Sequence, residues 1–161
     1  MFNLKLSQWP LAGKTLVLLF LIITGYGYIL SLLNVNYSVG LSYKAVVEHY
    51  HPAAAAGDEF GGPSGPSFAD MVRGMHFHVV AHSMLFFILG LLLLATELKE
   101  GWKAFFVGLP FLAILLDTGS MVLTRFVSPV FAIGVILGGM LMAGSFALGA
   151  LIVLQQTFLK K

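Results

Sequence analysis

FHVVAHSMLFFILGLLLLAT, residues 77–96, is the stretch that decides the fold. It contains no Asp, Glu, Lys or Arg. A helix needs about 20 mainly apolar residues to cross a bilayer, and this run supplies them. Working outward, comparable runs lie at 14–33, 104–123 and 129–155. The composition agrees: 58% of the 161 residues are hydrophobic and 10% are charged, with a mean hydropathy of +0.93. A soluble domain carries about 25% charged residues, so this chain has too little polar surface to face water on all sides. The expected fold is an all-α integral membrane domain, a four-helix up-down bundle over 1–161. Its parts are spans at 14–33, 68–96, 104–123 and 129–155, with one long extracytoplasmic segment, 34–67, between the first two.

The first span is read as a retained helix. Its apolar core, Thr15 to Leu33, exceeds the about 7–15 residues of a signal peptide, and no A-x-A-like site follows cleanly. Basic residues orient the bundle. Lys5, Lys14, Lys99, Lys103, Lys160 and Lys161 flank one side; Lys44, Arg73 and Arg125 flank the other. This asymmetry predicts cytoplasmic termini in a bacterial inner membrane. No basic run points to nucleic acid, and the absence of cysteine excludes disulfides, thiolate metal sites and iron–sulfur clusters.

The outer segment is not uniform. Leu41 to His51 can form a short helix with Ser42 as its cap. Residues 53–66 are rich in Gly and Pro and read as a flexible stretch. Ser67-Phe68-Ala69-Asp70 is a capping-box pattern that starts the second helix before the membrane. The link at 97–103 is short, so the second and third spans are antiparallel neighbours. Pro129 suits the first turn of the fourth span.

The chemistry concentrates at the outer end. All five histidines fall between residues 49 and 82. Ionisable groups at membrane depth are costly and mark functional sites. His78 and His82 are four residues apart and share a helix face, whereas His76 lies on another. Counting at 1.5 Å per residue brings His82 level with Asp117 of the third span. Tyr26 and Tyr28 of the first span and Gly134 and Gly138 of the fourth fall in the same layer. The plainer readings are belt tyrosines, methionines used for packing, and glycines that let two helices approach.

Two cofactor chemistries suit these residues. A b-type haem takes imidazole ligands, with His82 the preferred buried one and His78, His76, His49 or His51 as further candidates. The other spans carry no histidine, so a second ligand requires 49–51 to fold back over the bundle. A quinone site in the same layer would use Asp117 or a histidine as proton acceptor. Copper or zinc at His82, His78 and His51 is the metal alternative. A third class is non-catalytic: an accessory or anchor subunit whose histidines pack at interfaces.

The four spans and the His76-x-His78-x-x-x-His82 cluster resemble the small four-helix b-type cytochrome and quinone-reactive anchor subunits of bacterial respiratory chains. That resemblance implies electron transfer in the membrane alongside other subunits of a redox complex, with lipid around it and a c-type cytochrome as a possible partner.

Overall fold

The computed structural model describes residues 5–52 and 65–159. Among them there are five helices, four long and apolar enough to span a membrane, and no strand. They are α1 Leu11–Ser38, α2 Tyr43–Tyr50, α3 Phe68–Leu94, α4 Glu100–Phe126 and α5 Ala132–Leu154. A 3-10 turn, Leu6–Gln8, precedes α1; another, Pro129–Phe131, leads into α5, and a π turn, Gln155–Leu159, follows it. The spans run up, down, up and down. Most of the Gly- and Pro-rich stretch expected to be flexible lies outside the described residues.

The helix starts follow the local chemistry. Ser67 Oγ accepts from the Asp70 amide at 3.2 Å, so the cap forms, and donates to the Asp70 carboxylate at 2.6 Å, which bonds the hydroxyl where a capping box would use the Ser67 amide. Ser42 accepts from the Ala45 amide and starts α2 two residues later than the sequence alone suggests. Gly40, at φ +87°, makes the turn between α1 and α2, a left-handed conformation that a Cβ disfavours. At the opposite end, Lys5 pairs with Glu97 at 2.7 Å, the Leu6 amide donates to the Ala95 carbonyl, and the Glu97 amide donates to Gln156. Both ends of the described chain are tied there to the α3–α4 link.

Helices α3, α4 and α5 form a tight trio around Phe86, Leu89, Leu93, Ala113, Ile114 and Val153. The closest pair is α4 with α5. A Cβ on Gly138 would stand 2.7 Å from the Asp117 amide nitrogen, and one on Gly134 would collide with Ser120. The two backbones are thus in van der Waals contact, the close approach that small residues permit in lipid, where no hydrophobic force drives helices together. Gly139, on the other side of α5, faces open space. Helix α1 packs more sparsely, with only Val17 and Leu21 buried. A second small core joins α2 to the bundle: Val46, Val47 and Tyr50 against Met71, Ala132 and Val135.

This packing sets a paired test. Gly138→Ala must push the two backbones apart and should cost about 1–3 kcal/mol, the usual range for overpacking. Gly139→Ala meets nothing and should be neutral or gain up to ~1 kcal/mol from helix propensity. Unfolding in mixed micelles, read by circular dichroism, measures both; equal effects would show that α4 and α5 are not in backbone contact.

Candidate functional site

Asp117 lies on the face of α4 turned into the trio and is only 3% exposed. A lone carboxylate at such a position is expensive to charge, so what surrounds it matters. The short α3–α4 link fixes its partner. Counting outward from the middle of that link reaches His78 on α3 and Asp117 on α4 after nearly equal numbers of residues. His78 Nε2 stands 3.1 Å from Asp117 Oδ2. The distance is that of an ion pair, but the alignment falls short of a hydrogen bond, and neither atom has another hydrogen-bond partner. The pairing expected from depth alone was His82 with Asp117. It moves one turn, because the link sets the register and the estimated membrane boundary does not.

His82 builds the second layer. Its Nδ1 donates to the His78 carbonyl at 2.9 Å, since a carbonyl can only accept. In the neutral ring that leaves Nε2 with a free lone pair. The two imidazoles lie 4.1 Å apart, tilted by 37°. Tyr28 of α1 meets His82 edge-on at 6.2 Å and stacks on Phe146 of α5 at 4.7 Å. Asp117, His78, His82 and Tyr28 therefore follow one another as a thread of neighbouring side chains within an apolar bundle, joined by an ion-pair distance and by ring contacts, with Phe146 against Tyr28. His82 is the imidazole in contact with α1, the least tightly held helix.

The remaining expected site residues go elsewhere. Tyr26 is 62% exposed and points away from the thread; Tyr28 takes its place two residues on, across the helix. Gly134 and Gly138 are taken up by the contact with α4, so their notches leave no space for a flat porphyrin. His76 is exposed on another face of α3, as its spacing predicts. The described part of the outer segment, α2 with His51, does fold back over the bundle. It brings His51 to the Arg125 carbonyl, with Nδ1 at 3.2 Å, and not to His82. Among the described residues no three His, Asp or Glu side chains are grouped to hold a metal ion.

Helix α2 closes the end of the bundle nearest Asp117. Among the described residues its polar ties to the spans engage backbone carbonyls: Tyr43 Oη donates to Pro129, and Arg125 Nη1 donates to Tyr50 at 3.3 Å. Arg125 thus sits at the C-terminus of α2, where a cation complements the helix dipole. It does so instead of pairing with Asp117. Tyr50 is buried beneath α2, and its hydroxyl is pushed up to about 12, first by burial and then by the negative charge of Asp117. Sequence reasoning missed Tyr50. The signal was present in the apolar face that Val46, Val47 and Tyr50 make at helical spacing.

Burial beside Tyr50 lowers the pKa of His49, whose ring meets Tyr50 edge-on at 4.6 Å. A depressed histidine favours the docked state when neutral. Its contribution is complete above the ordinary histidine value of about 6.5 and is lost as pH falls through the lowered folded value. Amide exchange of residues 43–50, corrected for intrinsic rates, should rise on acidification in the wild type and stay flat in His49→Gln. The same pH response in both would remove His49 from the docking of α2.

A family model described as a transmembrane helical domain matches residues 40–161, which covers α2 to α5 and the whole of the Asp117–His78–His82 arrangement. No curated protein and no solved structure matches the chain.

Proposed function

The chain belongs to this Aq_1264_TM family of transmembrane helical domains, and on that premise we propose that it is the membrane electron-transfer subunit of a redox complex, acting on a quinone. The observation that carries the reading is the buried Asp117 carboxylate held 3.1 Å from the His78 imidazole, with the His82 ring in contact with that imidazole. Quinol oxidation sheds protons with its electrons, and a site for it needs bases that can take them at membrane depth. The Asp117–His78 pair holds one proton at no net charge, whichever partner carries it. The free Nε2 of His82 is a hydrogen-bond acceptor for a quinol hydroxyl. The sparse packing of α1 offers the headgroup a way in from the bilayer, beside Tyr28. Electrons then pass to a cofactor of a partner subunit. By the lysine and arginine asymmetry the thread lies in the outer leaflet of a bacterial inner membrane, with both termini cytoplasmic.

A b-type haem fits the same residues less well. His82 would be one axial ligand. The other spans carry no histidine, and His51 is engaged with Arg125. A quinone headgroup needs only hydrogen-bonding partners.

The test is a titration of the purified protein in nanodiscs with a short-chain ubiquinol analogue, together with visible spectra before and after dithionite. The wild type should bind the quinol and show no Soret band. His82→Gln should weaken binding about tenfold, as expected for loss of the hydroxyl's acceptor, and Asp117→Asn and His78→Gln should weaken it by removing the pair that takes the proton. Tyr26→Phe should change nothing. A Soret band that disappears in His82→Ala would replace the quinone with haem. Absence of both the band and quinol binding would overturn the redox reading in favour of a non-catalytic anchor.

A further inference from the structure

The outer surface between α3 and α4 carries a groove unrelated to the Asp117 thread. Its volume is about 470 Å³. Val72, Val79 and Val80 of α3 line it together with Gly119 and Val122 of α4. At the α2 end it opens into a second concavity of about 650 Å³, where His76, Arg73 and Phe68 converge. Val72 and His76 line both, so the two are continuous.

Gly119 has no reason to be glycine in the packing. Gly134 and Gly138 admit a neighbouring helix, but a Cβ on Gly119 would meet nothing within 4 Å. A glycine inside a helix costs about 1 kcal/mol relative to alanine. Its lack of a side chain leaves this part of the groove open. The groove's depth in the bilayer indicates its occupant. Helix α3 is about 40 Å long at 1.5 Å per residue, and the hydrocarbon core is about 30 Å thick. The first two turns of α3, which include Arg73, therefore reach headgroup level, while Gly119 and Val80 lie among the acyl chains. The Arg73 guanidinium is exposed and bound only loosely, to Asp70 at 3.4 Å. It is free to exchange that contact for a phosphate oxygen.

We propose that this groove is a binding site for an anionic phospholipid, with one acyl chain against Gly119 and the phosphate at Arg73 and His76. The pairing is a charge match at the mouth and an apolar match along the groove. The site stands apart from the redox reading, because it shares no side chain with the Asp117 thread.

The experiment is native mass spectrometry of the full chain released from mixed micelles, supplied with equal phosphatidylglycerol and phosphatidylcholine. The wild type should retain one phosphatidylglycerol about fivefold over phosphatidylcholine, the factor that one arginine near an anionic lipid provides. Arg73→Gln should lose the preference but keep a lipid. Gly119→Leu fills the groove, leaves the helix contacts intact and should retain neither. Asp117→Asn should behave as the wild type, which separates this site from the quinone reading. Equal retention of the two lipids by the wild type, or undiminished retention by Gly119→Leu, would overturn the proposal. So would a quinone retained in place of the lipid.

Discussion

The contact of Gly138 with the backbone of Asp117 is the constraint on which the rest of the bundle depends. Lipid offers apolar side chains no incentive to leave it, so helices in a membrane associate through close packing and polar contacts. Glycines on one face of α5 let it seat on α4, and that seating buries Asp117. Once buried, the carboxylate needs company. The short link between α3 and α4 supplies His78 in register. Packing and chemistry are therefore coupled here. The small residues that bring the helices together also enclose the acid.

The polar groups run from the sealed interior to the side of α1. Asp117 is nearly sealed, His78 is 28% exposed at its side chain, and His82 and Tyr28 lead toward α1. Above them α2 forms a cover held by apolar contacts and by bonds to backbone carbonyls. The face between α3 and α4 is separate, lined by the residues that the thread leaves unused. One small bundle thereby presents an interior suited to protons and an exterior suited to a lipid.

Much of this was legible in the sequence. The four spans are plain from their apolar runs; the structure starts the second behind Ser67 as read, and extends the first to Leu11–Ser38 and the third to Glu100–Phe126. The short helix over 43–50 was legible from Ser42 and its spacing. That Asp117 and the helix α3 histidines meet was legible as a shared layer. Which histidine meets it was not. That depends on register, which the link sets to within a turn and a depth count does not. Tyr26 and Tyr28 could not be told apart by depth, because they sit two residues apart on one helix and differ only in the direction they face. The glycines were ambiguous for another reason: a gap in a sequence does not say what fills it. At Gly134 and Gly138 a helix does; at Gly119 no helix does.

The central claim is that Asp117 and His78 exchange a proton with a bound quinol. Infrared difference spectroscopy on quinol addition to the reconstituted protein reads it most directly, in the carboxyl C=O region. The account predicts a carboxyl signal in the wild type, absent in Asp117→Asn and shifted in His78→Gln. A spectrum silent in that region while quinol binds, or a signal that survives Asp117→Asn, would contradict it.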